Sequence, residues 1–388
     1  MLLKNGLVWC GAAISLAESM TGAYLGPLGL AEGLLAIVLG HVIGFLILLG
    51  VGYISARENK SAMETVSLAF GHRGMRFFAL ANVVQLIGWT AIMIYDGSLA
   101  ANQLLAWGME IWSLIIGLGI LTWLYICRKG IMVLQVLSMA LLFALTIVLA
   151  YSLPSQSLPM GGDTSSLSFP AALELSVAMP LSWLPLLGDY LLKQDRPFLS
   201  TLTSAGVYSL ASIFMYYIGL ASAIFVGNSD IGLIMGNAGL GLFGILIIFL
   251  STITTTYLDA FSAGTSWQAL FNKGNAFTIS CLVTVAGAVA AALYPMDDIT
   301  DFLYLIGSIF GPMAIVLILR YWVYKDLVSG KSYLSFVAWG LGCISYHYFL
   351  QTGFSYGATL PAMVVTGVTY FLVTLTSRKR LLHHQFSE

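Results

Sequence analysis

The sequence predicts an all-α polytopic membrane protein of twelve transmembrane helices, and three observations predict it. The first is composition. Of the 388 residues, 59% are hydrophobic and 9% charged, with a mean hydropathy of +0.91, whereas a soluble domain carries about a quarter charged residues. The second is segment length. A bilayer core needs roughly 20 apolar residues per helix, and such segments recur at about 6–30, 33–55, 75–103, 110–127, 130–152, 169–189, 198–226, 240–270, 276–295, 300–323, 333–352 and 359–377. The third is loop charge. With the amino terminus inside, every one of the 16 Lys and Arg residues falls on the cytoplasmic side. These are Lys4, then Arg57, Lys60, Arg73 and Arg76, then Arg128 and Lys129, Lys193 and Arg196, Lys273, Arg320 with Lys325 and Lys331, and last Arg378, Lys379 and Arg380. The outer loops, around Glu110 and over 153–168, 227–239, 296–299 and 353–358, hold no Lys or Arg. Basic residues collect on the cytoplasmic face, so a multi-pass protein of a bacterial inner membrane, with both termini cytoplasmic, is expected.

Composition also excludes classes. A net charge of −1 argues against nucleic acid as a partner. Cys10, Cys127, Cys281 and Cys343 lie in apolar segments without paired spacing and read as small buried hydrophobes. The first apolar segment is too long for a signal-peptide core and runs on into a second. No extramembrane domain is expected, so residues 1–388 form a single transmembrane domain. The cytoplasmic loops hold only His72, with His383 and His384 on the tail, and nothing resembles a catalytic triad or a metal box. A membrane-embedded enzyme or receptor is therefore disfavoured and no cofactor is expected.

In chain order, the first span carries Ser15-Leu-Ala-Glu-Ser-Met-Thr-Gly22, which places Glu18 at mid-membrane depth. An acid at a helix centre costs roughly 2.5–3.5 kcal/mol on insertion scales, so Glu18 predicts a water-filled or ligand-filled cavity. Its small, hydroxyl-rich neighbours suit a broken helix whose freed backbone groups find partners. In the third span Gln85, Trp89 and Asp96 form a stripe that includes Met93, and Gly88 allows close approach beside Trp89. The sixth span reads Leu175-Ser-Val-Ala-Met-Pro-Leu-Ser-Trp-Leu-Pro-Leu-Leu-Gly-Asp-Tyr190. Pro180 and Pro185 each remove a backbone donor, with Ser176, Ser182 and Trp183 around the first. This interruption comes five spans after that at Glu18. An odd offset reverses orientation, so the first and sixth spans read as counterparts in an inverted repeat, a pointer to a transporter site.

The eighth span carries Ser251-Thr-Ile-Thr-Thr-Thr256 followed by Asp259, one turn from Thr255. Thr can satisfy itself on the i−4 carbonyl, but hydroxyls facing the freed carbonyls of the first span would also suit a hard cation. Glu174 and Asp301 lie near outer helix starts and read as solvated acids favoured by the helix dipole.

Four motifs carry a family resemblance over nearly the whole chain: Gly88-Trp89, Trp183-Leu-Pro-Leu-Leu-Gly-Asp189-Tyr190, the threonine-rich eighth span, and Gly311-Pro312 leading to Tyr321-Trp322. In these the chain resembles the nucleobase:cation symporter-1 family, the cytosine, purine and hydantoin permeases. Ala17-Glu-Ser-Met-Thr-Gly22 looks most like the bacterial branch assigned to hydroxymethylpyrimidine, a thiamine precursor. The resemblance implies a LeuT-like five-plus-five inverted repeat over 1–152 and 169–323, with peripheral helices over 333–377. It implies a heterocycle stacked between Trp89 and Trp183, and Na⁺ between carbonyls near Ala13 and Leu16 and the hydroxyls of Thr254 and Thr255. Met93 stands where hydantoin-type members have glutamine, Asp259 lies close to where they have asparagine, and Arg320 replaces the aspartate before Tyr321-Trp322.

An ionised carboxylate only accepts hydrogen bonds, so Glu18 or Asp259 suits a ring bearing an exocyclic amine, as in cytosine. The expected function is secondary active import of an aminopyrimidine coupled to Na⁺ or H⁺, with Glu18, Gln85, Trp89, Asp96, Ser182, Trp183 and Asp259 at the substrate. A flexible tenth span, with Gly307, Gly311 and Pro312, would act as a gate. The partners are the heterocycle, the cation and the lipid bilayer, and a monomer is expected. The same fold carrying amino acids or amines is the alternative; an amino-acid carboxylate would be repelled at Glu18.

Overall fold

The computed structural model describes residues 2–128, 147, 167–225, 241–271, 273–296, 299–324 and 332–385. The fifth expected span (130–152) apart from residue 147, the 227–239 loop, most of the 153–168 loop, and Lys129, Lys325 and Lys331 lie outside the described residues. What is described is helical. The helices are α1 (Leu2–Ala13), α2 (Leu16–Tyr24), α3 (Gly29–Glu58), α4 (Ala62–Leu104), α5 (Met109–Arg128), α6 (Phe169–Ser182), α7 (Leu184–Leu187), α8 (Pro197–Phe225), α9 (Gly241–Phe271), α10 (Ala276–Leu293), α11 (Ile299–Trp322), α12 (Ser332–Thr352) and α13 (Thr359–Gln385). Among the described residues nine helical stretches are long and apolar enough to cross a bilayer. The first expected span falls short because it is divided into pieces of 12 and 9 residues, α1 and α2.

Two interruptions shape the middle of the bundle. The first leaves Ser15 extended (φ −129°, ψ 159°), with its side chain accepting from the Glu18 N–H to cap α2. The second is gentler. Pro180 stays inside α6, which ends at Ser182; Trp183 keeps helical dihedrals, and α7 starts with a proline in its first turn, where the missing donor costs nothing. The sequence expectation of a helix broken at both prolines thus reduces to one turn at Trp183.

The stretch between the second and third expected spans (56–74), expected as a cytoplasmic loop, is also largely helical. Ser61 and Glu64 form a reciprocal capping box that starts α4, and the helix bends at Gly71, whose φ of +67° favours glycine.

Packing separates an inner from an outer layer. The Phe169–Tyr190 stretch is 94% buried over its most apolar window, against 28% for Ala276–Leu293 and Thr359–Thr376. α3 packs along α6 and α8, α1 and α2 lie on α8, and α9 runs beside α4, while α12 and α13 pair with each other. Outward-facing Val84, Leu210 and Ile344 are each more than 60% exposed, which suits contact with lipid rather than water.

Candidate functional site

Both interruptions open on one cavity. It is lined by Ser15, Ala17 and Glu18 from the first, Met179, Ser182 and Trp183 from the second, Trp89 and Met93 from α4, and Thr255 and Asp259 from α9. Its volume is about 10 Å³, close to what a single water needs on the same measure, about 10–15 Å³. A planar ring enters only if the walls separate.

The carboxylate is held from α8. Tyr208 donates its hydroxyl to Glu18 Oε1 at 2.6 Å and Ser212 lies 2.5 Å from Oε2. Glu18 is 1% exposed. Each carboxylate oxygen has two acceptor directions, so both retain capacity for a ligand N–H. The helices come this close because glycines face them: a Cβ on Gly219 would stand 1.8 Å from the Ser19 carbonyl oxygen, and one on Gly22 would stand 2.2 Å from that of Tyr216.

The tryptophans sit in different surroundings. Trp183 meets Trp9 edge-on at 5.6 Å between centroids and Tyr208 at 5.7 Å; Trp9 also meets Tyr190 and Tyr208. Trp89 meets Phe302 of α11 at 5.4 Å. Neither Trp9 nor Phe302 nor Tyr208 stood out in the sequence, since one aromatic inside an apolar run carries no signal.

Of the residues expected at the substrate, Glu18, Trp89, Ser182, Trp183 and Asp259 line the cavity, whereas Gln85 and Asp96 do not. Gln85 donates to Asn82 at 2.7 Å, and Asn82 in turn donates to the Pro185 carbonyl and to Ser266. This chain braces the turn after α6. Asp96 lies two turns from Trp89, beside Gly97, where a Cβ would stand 2.6 Å from the Thr252 hydroxyl. The Ser182 hydroxyl donates to the Met179 carbonyl at 2.7 Å.

At the proposed cation position, Ser251 donates to the Ile14 carbonyl at 2.8 Å and Thr255 reaches the Gly11 carbonyl at 3.4 Å. Thr254 turns away onto its own helix, donating to Leu250 at 2.6 Å. Ala13 ends α1 and its carbonyl accepts from Ser15 N–H at 3.0 Å. Leu16 is the first residue of α2, so its carbonyl belongs to that helix's own ladder; the carbonyls of Ala13 and Ile14 are among those left outside a regular ladder at the end of α1. Among the described residues no cluster of three His, Cys, Asp or Glu is placed to hold a metal ion.

Asp301 is exposed in the first turn of α11, as expected, whereas two buried acids hold elements together. Asp189 accepts from the Ala62 N–H at 2.9 Å and from Ser262 at 2.5 Å, and Tyr190 donates to the Leu258 carbonyl at 2.8 Å. Glu174, expected as a solvated acid at the start of its own helix, is 1% exposed. It accepts from Tyr346, from the Thr359 hydroxyl and from the N–H groups of Ala358 and Thr359 at 2.5–2.8 Å. It caps α13, a helix remote in sequence, because the α12–α13 pair covers it.

No family model matches this chain, and no curated protein matches it in sequence. Solved structures do match in fold. Mhp1, a nucleobase-cation-symport-1 family transporter in a closed conformation with bromovinylhydantoin bound, superposes with a TM-score of 0.77 at 18% identity, covering 99% of this chain and 93% of that one. Mhp1 in its inward-facing conformation gives 0.75 at 16% identity, covering 99% and 91%. A Na⁺-coupled sialic acid symporter, in a substrate-bound outward-open state, gives 0.70 at 14% identity, covering 97% and 89%. The chain therefore has the fold shared by these transporters.

Proposed function

We propose that the protein is a secondary active transporter that imports an aminopyrimidine, hydroxymethylpyrimidine or a cytosine-like base, coupled to Na⁺ or H⁺ by alternating access. One observation carries the reading: Glu18, Asp259, Trp89 and Trp183, from four separate stretches of chain, line the same enclosed cavity at two helix interruptions. Two carboxylates offer acceptors and no donors when ionised, which favours a ring with an amino group over a diketo ring. Two indoles supply apolar faces for a flat ring. An amino-acid carboxylate would meet Glu18 and Asp259, which sets amino acids aside; amines stay as the alternative.

The finer assignments belong to the same proposal. They are twelve spans, an inverted repeat over 1–152 and 169–323 with peripheral helices over 333–377, a monomer, both termini cytoplasmic, and a bacterial inner membrane. Sodium as the coupling ion would use neutral oxygens at the first interruption: the carbonyls of Ala13 and Ile14 and the hydroxyls of Ser251 and Thr255. These fit an oxygen-ligated hard cation.

The test is uptake of labelled hydroxymethylpyrimidine and cytosine into proteoliposomes, with and without Na⁺ and pH gradients. Accumulation of either compound above equilibrium, lost in Glu18→Gln, is the expected result. Normal uptake by Glu18→Gln would overturn the central role of the carboxylate, and no uptake of either would overturn the substrate class.

A further inference from the structure

Behind Glu18 stands a histidine that the proposed function does not use. His41 of α3 is fully buried. Its Nδ1 lies 2.8 Å from the Ile37 carbonyl oxygen and its Nε2 2.6 Å from Ser212 Oγ, which is itself 2.5 Å from Glu18 Oε2. The relay therefore runs Ile37 carbonyl, His41, Ser212, Glu18, across α3, α8 and α2.

Counting hydrogens along this relay fixes its protonation. A carbonyl only accepts, so Nδ1 carries a hydrogen. Heavy atoms at 2.5–2.6 Å without a hydrogen between them would oppose lone pairs, so each of the two contacts of Ser212 needs one. Ser212 owns a single hydrogen. If it donates to Glu18, then Nε2 must donate to Ser212, and His41 is an imidazolium beside a carboxylate. If it donates to Nε2, then Glu18 must donate to Ser212, and both groups are neutral. Either way the trio holds one proton more than a neutral histidine and a carboxylate together. The two states interconvert by a concerted shift: Glu18 passes its proton to Ser212 Oγ as Ser212 passes its own to Nε2.

Other titratable groups on the neighbouring elements take different places. From α8, Tyr208 donates to the other Glu18 oxygen, and Tyr216 meets the His41 ring edge-on at 4.8 Å while its hydroxyl lies 3.3 Å from the Leu175 carbonyl. From α9, Asp259 lines the same cavity as Glu18. On α4, Asp96 lies beyond the cavity. From α6, Glu174 is bound to Tyr346, Ala358 and Thr359; past α7, Asp189 is bound to Ala62 and Ser262. On α11, Tyr321 bonds Glu58 and Arg320 donates to the Tyr324 carbonyl, while Asp301 and Tyr304 stand toward the opposite end of that helix. Arg57, at the end of α3, lies over Trp322.

We propose that Glu18, Ser212 and His41 form a one-proton site in the wall of the substrate cavity, and that this proton is a coupling ion of the transport cycle. The site follows from the geometry alone; its coupling role rests on the transport reading above.

Two measurements on the full-length protein test the two statements separately. Nitrogen-15 spectra of histidine-labelled protein in lipid nanodiscs, with His41→Gln to assign His41 among the five histidines, report its two ring nitrogens. Infrared difference spectra against Glu18→Gln report whether Glu18 is protonated. At pH 7 the expected result is one of two pairs: imidazolium with carboxylate, or neutral Nδ1–H tautomer with protonated carboxyl. Ser212→Ala should break that correlation. Neutral His41 beside an ionised Glu18 in the wild type would overturn the site.

For coupling, proteoliposomes without Na⁺ receive an acid-outside gradient of one pH unit, worth about tenfold accumulation per proton carried. His41→Gln and Ser212→Ala should each lose most of that factor for labelled cytosine or hydroxymethylpyrimidine. Equal pH-driven accumulation in wild type and both variants would overturn the coupling role. A shared proton in the spectra with no uptake of either compound would support the one-proton site and overturn the transport reading.

Discussion

Single residues show what sequence can and cannot expose. That Glu18 lines a cavity was legible because a carboxylate inside an apolar run needs polar surroundings, and the turn at Trp183 was legible through the prolines around it. His41 was not: one histidine in an apolar helix is ordinarily a satisfied core group, and its partner Ser212 is one serine in a span rich in small residues. Gln85 misled for the opposite reason. It shares a helix face with Trp89, but its amide ends on Asn82 rather than in the cavity. The indoles give the residue-scale prediction. Trp89→Ala and Trp183→Ala should each weaken aminopyrimidine binding by about 1–3 kcal/mol, the range for base–aromatic stacking, measured by calorimetry on purified protein. Trp183→Ala should also lower the melting temperature more than Trp89→Ala, since Trp183 joins Trp9 and Tyr208 whereas Trp89 meets Phe302. Wild-type affinity in both variants would make the rings packing residues.

Among the elements, the α2–α8 contact matters most, because it holds Tyr208 and Ser212 against Glu18. Its closeness depends on Gly219 and Gly22, which face backbone oxygens that cannot move aside. Gly219→Ala should destabilise by about 1–3 kcal/mol, the usual cost of overpacking, and should weaken ligand binding because α2 shifts from α8. Gly340→Ala in α12 is the control: a Cβ there meets nothing within 4 Å, and alanine gains about 0.5–1 kcal/mol over glycine in a helix interior. Thermal melts of both variants check the pair, and equal shifts would remove the packing argument. Glu174 anchors a different contact. Glu174→Ala strips partners from two hydroxyls and two backbone N–H groups, so it should cost about 1.5–3 kcal/mol for each charged hydrogen bond not replaced by water, read as a lowered melting temperature. Sequence placed this acid near a helix start, where it falls in the second turn of α6, and missed its burial, because the helix it caps begins 185 residues later.

At the scale of the whole molecule, the bundle has two chemically different ends. Ser61, Glu64, Leu192, Lys273 and Gly274 line one surface recess, Arg128 lies over the Phe277 ring just beyond it, and Ala62 binds Asp189 nearby. The opposite end gathers Glu174, Tyr346, Ala358 and Thr359. Of the basic loop residues, Lys273 and Arg128 are placed at the first of these ends, the end that the positive-inside rule predicts to be cytoplasmic. The alternation of loop charge predicts a topology; the side chains that lock each end were not legible in the sequence, since every one pairs residues more than 100 positions apart. The topology prediction is specific. In a background lacking Cys10, Cys127, Cys281 and Cys343, single cysteines replace Glu110, Lys193 or Lys273. A membrane-impermeant maleimide applied to intact cells should label the cysteine at 110 and neither of the others, and inside-out vesicles should reverse the pattern. The cysteine at 193 also tests the fifth span, expected over 130–152: without that crossing it would be labelled from the same side as the cysteine at 110. With the crossing, the α6 end that holds Glu174 faces outward and the Asp189 end faces the cytoplasm. Glu18 then sits between the two, the position that the proposed alternating access asks of its binding site.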